Sequence, residues 1–287
     1  MKGLIINADD LGSDIARNEG IFKALDAGIV TSTSILANGP AFDDVIKRIS
    51  STPCRAVSFG LHLNISQGTP ISSGLKMIVD KNNHFPGKTG TLSLLFSHVS
   101  ELFIEEIERE ITSQIEKLLI AGVAITHIDS HHHIHIFPAV APVVMKAARK
   151  YGIYRMRVPE EPSNTLQNLP ADWSVTEEAE FFSLFAGQAR PLLIEWDMLA
   201  PDHFLGLYMK GRLSPAVLAE VAENLKEGIT ELMVHPGTEY NGDPSNPFSL
   251  FSTPERQIEL DALLDDGFHA KLEKNKITLL SYCEAIT

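Results

Sequence analysis

The run THIDSHHHIHIF, Thr126 to Phe137, holds five of the chain's eleven histidines. Imidazoles at that density bind a metal, carry protons or enrich a hydrogen-bond network, and the run alone does not choose among these. Partners elsewhere in the chain decide. Asp9 and Asp10 stand side by side in NADDLG, His62 lies in GLHLN and His235 in ELMVHPG. One aspartate and two imidazoles form a common set of three protein ligands that leaves a coordination position for water. Asp10, His62 and one histidine of the run would complete such a set. Adjacent carboxylates can divide the work, one binding a cation while the other holds a proton-transfer position. His235, directly before Pro-Gly, falls at a rim where a general acid would be wanted.

Each signal also has a plainer reading. Asp-Asp before Leu-Gly is turn or capping chemistry, a lone strand histidine is usually a satisfied core residue, and a histidine cluster can be non-specific. What separates the chemical reading from the plain one is convergence. All four signals fall at the C-terminal ends of short apolar runs, the end at which parallel α/β sheets gather their active groups.

Those runs alternate with helix-period segments, the pattern of a parallel sheet with crossover helices. Leu4 to Asn7 reads as a strand, Ser13 to Gly28 as a helix with Ser13 at its N-cap, and Ile29 to Ala37 as a strand. Pro40 opens a helix through Ile49. In the strand Ala56 to Ile65, Val57, Phe59, Leu61 and Leu63 take one face and Ser58, Gly60, His62 and Asn64 the other. Ile104, Ile107, Ile111, Ile115 and Leu118 recur at helical spacing between Glu101 and Ala121. Pro138 to Lys150 reads as a helix and Tyr154 to Val158 as a strand. Ser214-Pro215 starts a helix ending near Gly228, Glu231 to His235 is a buried-type strand, Thr253-Pro254 opens a helix, and Ile277 to Leu280 is a final strand. Roughly seven strand–helix units, with no low-complexity linker and no internal repeat, predict α/β architecture: one domain over 1–287, an irregular TIM-like (β/α) barrel of parallel strands. Segments 66–98 and 160–190 would be long insertions near the active face.

If the strand stayed extended through the histidine run, His127, Asp129, His131, His133 and His135 would share one side. A metal takes three or four protein donors, so most of them, and His132, would orient ligands, touch substrate or serve structure. Asp129 is a natural acceptor for an imidazole N–H.

A formal net charge of −13 over 287 residues argues against wrapping nucleic acid or lying on an anionic membrane. Cys54 and Cys283 stand far apart, which suggests two ordinary thiols rather than a disulfide scaffold or thiolate zinc site. MKGLIINADD reaches carboxylates before a signal-peptide apolar region could form, and no apolar run approaches the roughly 20 residues that span a bilayer. The expectation is a soluble, cytoplasmic protein without membrane insertion.

NADDLG, GIVTSTSILANGPAFDDVI, GLHLN, THIDSHHHIHIFP and ELMVHPG together resemble the YdjC-like carbohydrate deacetylases, a family that includes chitooligosaccharide deacetylases, and the likeness runs over nearly the whole chain. It implies an irregular β/α barrel and hydrolytic removal of an acetyl group from an amino sugar or oligosaccharide. Position by position, it implies Asp10, His62 and His131 as ligands of one divalent metal, Asp9 as base and His235 as acid. It points to magnesium, whereas two imidazoles and a carboxylate suit zinc or another transition ion by ligand type. A cation so held would activate water, Asp9 would take or steer the proton, and His235 would protonate the leaving amine. Relatives imply a homodimer.

Two other classes compete. A metal-dependent phosphoesterase on a similar barrel would carry a richer ligand set for two metals about 3.5 to 4 Å apart, with cations for phosphate. A non-catalytic metal- or sugar-binding protein leaves the Asp9–Asp10 pair without a reason.

Overall fold

The computed structural model describes residues 1–51, 57–97, 99–163, 166–167, 169, 172–239 and 243–286. Cys54 and Ala56 lie outside them; Cys283 is an exposed free thiol.

In chain order the elements are β1 (Lys2–Leu11), α1 (Ile15–Asp26), β2 (Ser32–Ile35), α2 (Phe42–Ser51), β3 (Ser58–Leu63), α3 (Gly87–Phe96), α4 (Glu101–Ile120), β4 (Ile125–Ser130), a 3-10 turn (His131–Ile136), α5 (Ala141–Lys150), α6 (Trp173–Glu195), β5 (His203–Leu205), α7 (Pro215–Asn224), β6 (Gly228–Val234), α8 (Glu255–Leu263), α9 (Asp266–Lys274), β7 (Ile277–Leu279) and α10 (Tyr282–Ala285). All named strand pairings are parallel, in the order β4-β3-β2-β1-β6-β5. β7 pairs with the first residues of β1, so β1 shares one edge between β7 below and β2 above. Beyond β4, single bridges join Ile128 to Met156 and Arg155 to Leu199, and among the described residues this edge stays unpaired with β5. The sheet thus curls into the expected irregular barrel, with short staves where the sequence Tyr154 to Val158 reads as a full strand.

Strand parity sorts the side chains. Leu4, Ile6 and Ala8 of β1 point outward into the main apolar core under the helices, while Ile5, Asn7 and Asp9 point inward. β3 divides as expected, with Leu61 and Leu63 in the outer core and His62 inside. On α4, Ile107, Ile111, Ile115 and Leu118 are fully buried, and the Ser100 side chain caps the helix by accepting from the Phe103 N–H. A second, small apolar group of Ile5, Tyr282 and Ile286 closes the barrel floor.

Several boundaries differ from those read from sequence. The N-cap of α1 is Asp14, whose carboxylate accepts from Arg17 N at 2.7 Å; it satisfies that N–H better than the neutral hydroxyl of Ser13 one residue earlier. Most of segment 160–190 is α6, capped by Asp172. Gly187 and Pro191 lie within it and hide its period. Segment 66–98 is tied to α4 by two buried carboxylates: Glu110 accepts from Ile71 N and Ser72 N, and Glu106 from Lys76 N and Met77 N, all within 3.0 Å. No described helix is long and apolar enough to cross a membrane.

Candidate functional site

Adjacent residues of a regular strand face opposite sides, so Asp9 and Asp10 should not both look inward. A register shift between Ala8 and Leu11 against β2 breaks the rule, and Asp10 takes a left-handed backbone with φ of 66°. This bulge turns both carboxylates toward one cavity. Asp10 Oδ1 lies 3.2 Å from His62 Nε2 and 2.9 Å from His131 Nδ1. The three residues are buried and could each offer one ligand atom within 4.8 Å of the others.

Behind His62, Asp129 Oδ1 lies 2.7 Å from Nδ1. Ser34 Oγ is also within reach of that nitrogen and donates to the other Asp129 oxygen at 2.8 Å. A carboxylate fixing the far nitrogen of an imidazole is the usual support of a metal-ligating histidine. Burial pushes the Asp10 carboxyl up, yet the pull of His131 and His62 outweighs it and holds the group well below the carboxylate range. Burial disfavours the charged His62 ring, but Asp129 and Asp9 together lift its pKa to about 10. Asp10 and Asp129 thus set carboxylates at both nitrogens of this ring, an arrangement that favours positive charge between them. His131 turns Nδ1 to Asp10, and its Nε2 is buried without a hydrogen-bond partner.

Asp9 has different company. Arg157 grips both its oxygens at 2.6 Å, and Asn7 Nδ2 donates to Oδ1 at 2.9 Å. Arg157 also contacts Asp129 Oδ2 at 3.0 Å and donates from Nε to Glu231 Oε1 at 2.8 Å. Three buried carboxylates thus share one guanidinium. Burial, helped by the Asp129 charge, raises the Asp9 carboxyl against the pull of Arg157. Asp9, His62 and Asp129 also cluster closely enough to suggest a second metal group. A cation there would meet Arg157, so the Asp10 group is the better host.

His235 follows the end of β6, with Nε2 4.0 Å from Asp9 Oδ2. Its N–H donates to Glu259 at 2.6 Å and its carbonyl faces Arg17 and Arg256. Burial and the Arg256 charge keep the ring pKa well below its ordinary value, so the imidazole is neutral. Asp9, Asp10, His62, His131, His235 and Phe251 help line a cavity of about 210 Å³. At its mouth Glu178 of α6 joins Lys210 at 2.9 Å and Lys88 of α3 at 2.6 Å, stitching the two expected insertions together.

The extended-strand parity of the histidine run fails after Ser130. His132 and His133 have φ of 55° and 52°, and the chain turns there. Only His131 of the five faces Asp10 and His62. His132 meets Ser66 Oγ at 2.9 Å, and His133 sits edge-on to Phe182 with its Nδ1 unpartnered. His135 pairs with Ser130 Oγ and the Arg157 carbonyl. His127 Nε2 donates to Asn7 Oδ1 at 3.1 Å, and the ring lies against Gly60, where a Cβ would come within 2.5 Å of Nε2. Arg157, Asn7, Ser34 and Glu231 escaped the sequence reading. Arg157 alone carried a signal, a charged residue closing the apolar stretch Tyr154 to Val158.

Compared with known proteins, residues 3–274 match the family described as YdjC-like protein. The chain belongs to the YdjC-like family. One YdjC-like relative, carbohydrate deacetylase 1 of Listeria innocua, is 39% identical over 150 residues, which cover 52% of this chain and 58% of that protein. The match therefore spans under two thirds of that relative's length. A carbohydrate deacetylase of Thermoanaerobacter pseudethanolicus is 28% identical over 285 residues and 98% of each chain. A crystal structure from Enterococcus faecalis V583, provisionally described as a cellobiose-phosphate cleavage protein, superposes with TM-score 0.70 at 24% identity, covering 98% of this YdjC-like chain and 97% of that one. That likeness concerns the fold.

Proposed function

We propose that this protein is a metal-dependent carbohydrate deacetylase that hydrolyses the N-acetyl group of an amino sugar or chitooligosaccharide-type substrate to acetate and a free amine. The observation that carries the reading is the division between adjacent carboxylates. Asp10 meets two imidazoles in a cation-seeking group, while both oxygens of Asp9 accept from Arg157. Membership of a family whose relatives are named carbohydrate deacetylases supplies the substrate class.

In this reading Asp10, His62 and His131 hold one divalent ion. Such an ion polarises a carbonyl and lowers the pKa of water toward about 7. Magnesium follows from the resemblance, and zinc or another transition ion from the ligand set. Asp9 accepts the proton of the attacking water, its orientation fixed by the Arg157 fork. His235 enters the cycle neutral. It therefore delivers a proton to the departing amine only after receiving one, and Asp9 Oδ2 at 4.0 Å is a nearby source.

The test is an acetate-release screen of metal-reconstituted protein against N-acetylated mono- and oligosaccharides, with an aryl phosphate alongside. Acetate without phosphate is the expected result. Phosphate release, or sugar binding with no acetate, would overturn the reading.

A further inference from the structure

Tyr282 lies on the barrel floor, fully buried, and the chemistry above makes no use of it. Its hydroxyl donates to Glu231 Oε2 at 2.6 Å. Its ring stacks on His127 with 3.8 Å between centroids and 7° between planes. Both neighbours lead to one place. Glu231 Oε1 accepts from Arg157 Nε, and Arg157 holds both oxygens of Asp9. His127 donates to Asn7 Oδ1, and Asn7 Nδ2 donates to Asp9 Oδ1. No residue of either limb is more than 2% exposed.

We propose that Tyr282 is a positioning residue for Asp9, acting through Glu231 and Arg157 on one limb and through His127 and Asn7 on the other. The proposal rests on Asp9 being the proton-accepting group. A mere plug beside Ile5 and Ile286 would need only the ring, and phenylalanine would supply it with no buried polar atom to satisfy. The hydroxyl is required because Glu231 Oε2 would otherwise be a buried oxygen without a donor. Left so, Glu231 gains by drawing the guanidinium toward itself and off Asp9.

The experiment compares wild type, Tyr282→Phe, Glu231→Gln and the double variant, each loaded with metal. Tyr282→Phe keeps the stacked ring and so the folded floor. Its kcat for acetate release is expected to fall roughly tenfold or more, with KM within about twofold, because a misplaced reacting group costs rate rather than binding. The double variant is expected to be no worse than Glu231→Gln, since both changes act along one limb. In arginine-15N-labelled protein the Arg157 guanidinium resonance, assigned with Arg157→Lys, should move in Tyr282→Phe while that of Arg17 stays. Lower thermal stability with kcat and the Arg157 resonance as in wild type would overturn the proposal, as would losses that multiply in the double variant. Should wild type release no acetate, the deacetylase reading falls separately. The guanidinium resonance then still decides: a shift supports the network and an unmoved signal overturns it.

Discussion

Asp129 stands 2.7 Å behind Nδ1 of His62 and leaves Nε2 as the nitrogen that faces Asp10. Its role is to fix ring orientation, so Asp129→Asn should weaken metal binding about 10- to 100-fold without abolishing it. Titration calorimetry with magnesium and with zinc measures this. Unchanged affinity for both ions would leave Asp129 with no part in the site.

His62→Ala and His131→Ala each delete a proposed ligand, and both proteins should purify with less than stoichiometric metal by elemental analysis. Asp9→Asn should behave differently. It keeps full metal content while turnover falls about 10²- to 10⁴-fold, the usual worth of a positioned proton acceptor. Wild-type turnover in Asp9→Asn would remove it as the base.

Arg157 is the cation that Asp9, Asp129 and Glu231 share inside the barrel. Arg157→Met leaves these carboxylates buried without their cation, and the expected loss is roughly 3 to 5 kcal/mol in urea unfolding. A loss under about 1 kcal/mol would mean that the three acids are held by other means.

Acid should unfold this protein through its buried neutral histidines. Burial drives the His127 ring from 6.5 down to about 3 and that of His135 from 6.5 to about 4. Both folded values lie below the unfolded one, so the unfolded chain binds more protons. The contribution of these two rings is full above pH 6.5 and declines as pH falls from there toward 4, each ring adding up to about 1.4 kcal/mol per pH unit. Denaturant midpoints across that range test it: His127→Gln should flatten the slope, and an unchanged slope would show that other groups govern acid unfolding.

How much of this was legible beforehand depended on whether a signal was local. β3 announced itself because two apolar residues and two polar ones alternate around His62, and α4 because isoleucines recur every fourth position. The placement of Asp9, His62 and His235 near strand ends followed from the parallel-sheet pattern. The turn at His132 and His133 did not, because no glycine marks its left-handed backbone and the imidazoles looked like an extended strand. Arg157, Glu231 and Tyr282 lie in ordinary-looking stretches, and their meaning arises only when β6, the short bridge after β4 and α10 come together inside the barrel. Asp10 was grouped with His62 and a histidine of the run, and the three do come together, although the bulge that aims Asp10 there leaves no mark in NADDLG.

The tight fit of Gly60 against His127 bears on how variants at this centre are interpreted. A single methyl group added there has nowhere to go except into the imidazole, which would slide along Asn7 and disturb the carboxylate beyond it. Gly60→Ala would then mimic the loss of Asp9 while touching neither sugar nor ion. A mutational survey read by activity alone would mark as chemical a position whose whole contribution is to be empty.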